Sequence, residues 1–143
     1  MRALLDVNML LALLDGGHLH HAKAEAWMAA NHKGGWASCP LTQNGCLRVM
    51  SLPGYPNSQP VAVVAERLDQ ATRHSSHEFW PDALSLLGEG RLHWDRMLKS
   101  NQVTDIYLLA LAVKHKARLV TLDQGIALGA VRGASTKNLV ILK

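Results

Sequence analysis

The stretch Ala3-Leu4-Leu5-Asp6-Val7-Asn8 decides the fold of this 143-residue chain. An apolar run too short for a helix ends on a carboxylate, and a helical apolar pattern over 8–14 follows at once, stopped by Asp15-Gly16-Gly17. A short buried strand feeding directly into a helix is the opening of a layered α/β domain. Downstream, 20–31 reads as a helix with Ala22, Ala26, Ala29 and Ala30 on one side. Lys33-Gly34-Gly35 then turns the chain into a second strand, Trp36-Ala37-Ser38, and Pro40 sits at the start of a helix over 40–50. The breaker-rich segment 52–57 is a loop. A helix over 61–72 places Val61, Val64, Ala65, Leu68 and Ala71 on one face.

The second half repeats the alternation. A short strand is expected over 77–80, and a helix opened by Pro81 over 81–87. The strongest helix spans 104–115, with Thr104 as N-cap and Ile106, Leu109, Ala110 and Val113 in a stripe. Strands follow over 118–121, ending near Asp123, and over 139–142. Strands alternating with helices predict an α/β fold around a mainly parallel sheet. Without repeats, low-complexity tracts or linkers, residues 1–143 are expected to form one domain.

Composition narrows the class. Apolar residues make up 48% of the chain, which excludes a mostly disordered protein. No window approaches the ~20 apolar residues of a membrane span, and Asp6 interrupts the first apolar run too early for a signal peptide, so a cytoplasmic location is expected. Cys39 and Cys46 form no metal-binding spacing and read as small buried residues. The net charge of +4 is compatible with a polyanionic partner such as RNA without requiring one.

Three aspartates stand where an α/β site would need them. Asp6 and Asp123 each follow a strand, so in a parallel sheet both emerge at the carboxyl edge, where such folds bind ligands. Asp105 lies in the first turn of the strongest helix. If these converge, like charges raise one another's pKa, and a hard divalent cation, Mg²⁺ or Mn²⁺, relieves the conflict. Such an ion activates water for attack on a phosphodiester. On local spacing alone, Asp105 reads equally as a helix-start carboxylate and Asp123 as a turn residue. Asp6, between two apolar runs, calls for a partner.

The segments Leu4-Leu5-Asp6-Val7-Asn8, Thr42-Gln43-Asn44-Gly45-Cys46-Leu47-Arg48-Val49, Val103-Thr104-Asp105-Ile106-Tyr107-Leu108-Leu109-Ala110-Leu111-Ala112 and Leu119-Val120-Thr121-Leu122-Asp123, in this order, resemble the PIN-domain family, in particular its VapC-type toxins. The resemblance covers nearly the whole chain. It implies a three-layer α/β/α fold, a Mg²⁺-dependent endoribonuclease acting as the toxin of a type II toxin–antitoxin pair, a homodimer, and a cognate antitoxin that inserts near the acidic cleft. Carried over, Asp6, Asp105 and Asp123 become the catalytic and metal-binding carboxylates, with Asn8, Thr104 and Thr121 beside them. One position departs from the family. An acid usually stands in the helix after the second strand, where this chain has Gln43, an amide that adds no negative charge. The departure motivates an alternative, a degenerate PIN domain that binds antitoxin or RNA without cutting. An aspartyl phosphotransferase is a third reading, disfavoured because Asn8 stands where that chemistry usually has a second Asp.

Of the remaining polar residues, Arg48 is expected at the cleft, and Arg67, Arg73, His74 and His77 on a solvated basic face. His18, His20 and His21 are read as a solvated helix start rather than a zinc site. Trp80 and Trp94 are assigned to packing.

Overall fold

The computed structural model describes residues 1–88, 90–97 and 99–143. A parallel five-stranded sheet forms its middle layer, built from β1 (Ala3–Leu5), β2 (Trp36–Ser38), β3 (His77–Phe79), β4 (Arg118–Thr121) and β5 (Leu139–Ile141), in the order β3-β2-β1-β4-β5. The helices are α1 (Val7–Leu14), α2 (His21–Asn31), α3 (Pro40–Met50), α4 (Val61–Thr72) and α5 (Val103–Lys114).

Side-chain alternation along the strands sorts the core into two halves. Leu4, Ala37 and Leu119 face one side and pack against the long buried run Ile106–Ala112 of α5. Ala3, Leu5, Trp36 and Val120 face the other, covered by Met9, Leu10 and Leu11 of α1, Ala24 of α2, Cys46 and Met50 of α3, and Val64 and Leu68 of α4. The result is the expected three-layer α/β/α arrangement. Both cysteines are buried and unpaired, as read from the sequence. Among the described residues, no helix is long and apolar enough to cross a membrane.

Two expectations fail, both for tertiary reasons. Residues 81–87 are not helical. The segment is instead tied down from outside, Leu84 O accepting from the Tyr107 hydroxyl and Leu86 O from Trp94 Nε1. Thr104 is not the N-cap of α5. A 3-10 turn, Ser100–Gln102, runs into the helix, so Gln102 takes the cap position and Thr104 lies inside the first turn. Gln102 ties that entry down by donating from Nε2 to Gly125 O at 2.7 Å.

Strand order also fixes where a site can form. The chain leaves central β1 toward β2 and β3, then returns to place β4 on the opposite side of β1. Connections therefore diverge beyond the carboxyl ends of β1 and β4 and open a crevice there.

Candidate active site

Asp6 leaves β1 directly into that crevice. It is also the N-cap of α1, its Oδ1 accepting the Met9 N–H at 2.8 Å. Its other oxygen accepts a short hydrogen bond from the hydroxyl of Thr121, the last residue of β4. The same Thr121 Oγ1 accepts the Asp123 N–H at 2.9 Å. One fully buried hydroxyl thus joins the two strand ends and sets the spacing between Asp6 and Asp123. Gly125 N–H, donating to Asp123 Oδ1, steadies the turn that follows.

Asp105 enters from the first turn of α5. Burial, the Asp6 charge, and a hydrogen bond and charge from Asp123 together push its carboxyl up to about 7. Asp6, only 2% exposed, is pushed up to about 6, chiefly by burial and further by Asp123, against the lowering effect of its bonds to Thr121 and Met9. The structure therefore brings together Asp6, Asp105 and Asp123 as an electrostatically coupled set.

Fit to a divalent cation can be judged from these donors. All are hard oxygens, and each carboxylate oxygen engaged in one hydrogen bond retains a lone pair. The raised values of Asp6 and Asp105 show that ionising these neighbouring carboxyls together is costly, a cost that a cation relieves. Among the described residues, no group of three or more His, Cys, Asp or Glu side chains is placed closely enough to hold a metal ion as they stand. The group fits in donor chemistry and charge, and binding it requires Asp105 to lose its proton and the carboxylates to draw inward.

The other expected residues divide. Asn8 is exposed on α1 and lines a pocket of about 360 Å³ together with Asp123, Leu122, His18 and His20. Thr104 is exposed beside Asp105. Gln43 makes no hydrogen bond to the three carboxylates; its Nε2 donates to Ser38 Oγ at 3.1 Å, and Ser38 is in turn bonded to His77 Nε2 at 2.8 Å. Its flank lines a groove between α3 and α4 with Leu47, Leu68 and Asp69. Arg48 is exposed on α3, outside the pocket that holds Asp123. Gly45, one turn before Arg48, is where α3 closes on α1: a Cβ there would meet Val7 Cγ2 at 2.5 Å.

A PIN-domain family model matches residues 3–130. The chain belongs to the PIN-domain family. It is 51% identical over 142 residues to Ribonuclease VapC44 of Mycobacterium tuberculosis (strain ATCC 25618 / H37Rv), covering 99% of this chain and 100% of that protein. Ribonuclease VapC39 of the same strain is 37% identical over 134 residues, covering 93% and 96%. At that likeness the chain is a VapC-type ribonuclease of the PIN family. A chain of the crystal structure of VapBC2 from Rickettsia felis bound to a DNA fragment from their promoter superposes with a TM-score of 0.62 over 100% of both chains at 12% identity, a likeness of fold.

The histidines of this PIN domain stand at a helix start, as read from the sequence, His20 taking the N-cap of α2 and His21 its first position. His21 does serve the helix start, its ring bonded to Ala12 O at 2.7 Å and paired with Glu25 at 3.4 Å. His18 and His20, however, are half-buried and line the pocket with Asp123. Burial and the neighbouring His20 hold His18 below the ordinary histidine value. The H-x-H spacing lies on the turn that enters α2 and sets the two rings 5.8 Å apart. Trp80 is buried and stacked on His115 at 3.8 Å, in keeping with a packing role.

Proposed function

We propose that this protein is a Mg²⁺-dependent endoribonuclease, Mn²⁺ serving as a substitute, and the toxin of a type II toxin–antitoxin pair. The observation carrying the proposal is the coupling of Asp6, Asp105 and Asp123 at the crevice beyond β1 and β4, with two carboxyls held well above their ordinary values. In this reading those residues hold the cation, which when bound activates water and neutralises charge on the phosphodiester. Asp6 is the fixed member, clamped by the Met9 N–H and Thr121. Thr121 acts as a positioning residue by holding Asp6 and the Asp123 backbone at once. Asp105 exchanges its proton for the ion. Asn8 and the exposed Thr104 flank the entry and are suited to contact the RNA backbone. Gln43, engaged with Ser38, adds no charge, which favours fewer ions in the site.

The antitoxin partner is proposed from the VapBC2 likeness and from a wide apolar groove lined by Leu10, Leu13, Leu14, Met28, Leu68 and Ala71, suited to receive an apolar segment. A homodimer is proposed as well, supported by the exposed Leu86, Leu87 and Trp94. The deciding experiment incubates purified protein with RNA. Cleavage is expected with Mg²⁺ or Mn²⁺, to be abolished by EDTA and by Asp6→Asn; cleavage that persists in excess EDTA would overturn the reading.

A further inference from the structure

The turn between α1 and α2 is built as a rigid arm beside the carboxylates. Asp15 terminates α1, and its buried carboxylate accepts from the Tyr55 hydroxyl at 2.7 Å, Asn57 Nδ2 at 2.9 Å and Gly17 N–H at 3.0 Å. Its carbonyl accepts the His18 N–H at 3.0 Å. His18 is therefore held by a turn anchored to the distant 55–57 loop. The His20 N–H donates to His18 Nδ1 at 3.0 Å, which places the ring proton of His18 on Nε2 and makes it a neutral donor. The two rings lie 5.8 Å apart, tilted by 46°. Both ring nitrogens of His21 are used internally, whereas among the described residues no hydrogen bond occupies Nε2 of His18 or the ring nitrogens of His20.

These two rings line the pocket that also contains Asn8 and Asp123. At about 360 Å³, it falls in the size range of small-ligand sites, ~300–1,000 Å³. An RNA strand entering it meets the carboxylate of Asp123 and gains from the His18 donor and the ring faces placed alongside. We infer that His18 and His20 form a nucleotide-binding subsite, His18 donating from Nε2 to the RNA backbone and His20 presenting its ring to the base that flanks the cleaved bond. This assignment rests on the ribonuclease reading above. It makes the α1–α2 turn a specificity element distinct from the carboxylates.

The test measures binding apart from cleavage. The full-length protein carrying Asp6→Asn is titrated, without metal, into short fluorescein-labelled single-stranded RNAs of mixed sequence. In that background His18→Asn retains an acceptor for the His20 N–H and removes the Nε2 donor; His20→Ala removes the ring and His20→Phe retains a stacking face. His20→Ala is expected to weaken binding about tenfold, the scale of one base–aromatic contact, and His18→Asn about tenfold, the scale of one hydrogen bond, while His20→Phe stays within a few-fold. In the parent with intact Asp6, the same substitutions should raise KM for RNA more than they lower kcat. The Mg²⁺-induced rise in Tm should be unchanged. Unaltered RNA affinity and KM in a parent that still cleaves RNA would overturn the subsite and leave the ribonuclease reading standing. Loss of the Mg²⁺-induced rise in Tm would instead make the histidines part of the carboxylate site and also overturn it. A parent that neither binds nor cleaves RNA would overturn both.

Discussion

Two buried aspartates bracket α1, and they have opposite fates. Asp6 caps its start at 2% exposure and is pushed up to about 6; Asp15 caps its end at 3% exposure and is held below the ordinary carboxylate value. Burial alone raises both. At Asp15 that effect is outweighed by donors from Tyr55, Asn57 and Gly17. Asp6 also has donors, but it shares its crevice with Asp105 and Asp123. The difference teaches that burial does not mark a functional acid. A structural carboxylate is surrounded by donors alone, whereas a site carboxylate is left partly in conflict with its neighbours, and that conflict is what a cation or substrate resolves.

The comparison breaks most visibly in activity. Asp6→Asn should lower Mg²⁺-dependent RNA cleavage by about 10²–10³-fold or more, the scale on which a preorganised electrostatic contact acts, measured by single-turnover gel assay. The variant should remain folded, since the amide still offers an oxygen to Met9. A folded Asp6→Asn protein that cleaves at the parental rate would erase the distinction between the two ends of the helix. Thr121→Val comes next. It removes the hydroxyl linking Asp6 to Asp123, and activity should fall about 10–100-fold, as for other residues that orient metal ligands.

At the opposite end of α1, Tyr55→Phe withdraws a donor from Asp15 and should cost about 1–3 kcal/mol in urea unfolding, with the Mg²⁺-induced rise in Tm unaltered. A change in that rise would show the two ends to be coupled. Gly45→Ala drives a Cβ into Val7, a stiff β-branched neighbour, and should cost about 1–3 kcal/mol, recovered in part by adding Val7→Ala.

The smallest expected effect is on pH dependence, and it separates the two acids by sign. Asp6 and Asp105 have folded values raised from 3.8 to about 6 and about 7. Between about pH 4 and pH 7 the folded, metal-free protein therefore holds more protons at these groups than the unfolded chain, so their contribution to stability declines as pH rises through that window and levels off above it. Asp15 behaves oppositely: its contribution is present above the unfolded value and is lost as pH falls through the lowered folded value. Thermal unfolding of metal-free Asp105→Asn should show a flatter decline than the parent. Because a cation favours the ionised carboxylates, the rise in Tm with Mg²⁺ should be larger at about pH 8 than at about pH 5. An equal rise at both would speak against carboxylate ligation.

Much of the architecture was legible because its signals are local. The apolar runs at Ala3–Leu5 and Arg118–Thr121, the Gly-Gly turn before Trp36 and the long apolar run in α5 each report strand or helix through near-neighbour periodicity. So did Asp6 and Asp123, since a carboxylate after a parallel strand must emerge at the carboxyl edge. The segment 81–87 was misread because its path is set by tertiary contacts, among them those to Tyr107 and Trp94, residues no local pattern connects to it. That His18 and His20 border a pocket was not legible for the same kind of reason: it is completed by Leu122 and Asp123, about a hundred residues away.

Sequence by itself determined the strand–helix alternation, the family, and which carboxylates stand at strand ends, because these depend on residue type and spacing. Only the tertiary structure decided that Thr121 bridges Asp6 to Asp123, that Asp105 shares their field, that Gln43 is engaged elsewhere and that two histidines border the site. Hydrogen bonds and electrostatic coupling act through space over a few ångströms, and it is the β1–β4 pairing that brings those distant parts of the chain within reach.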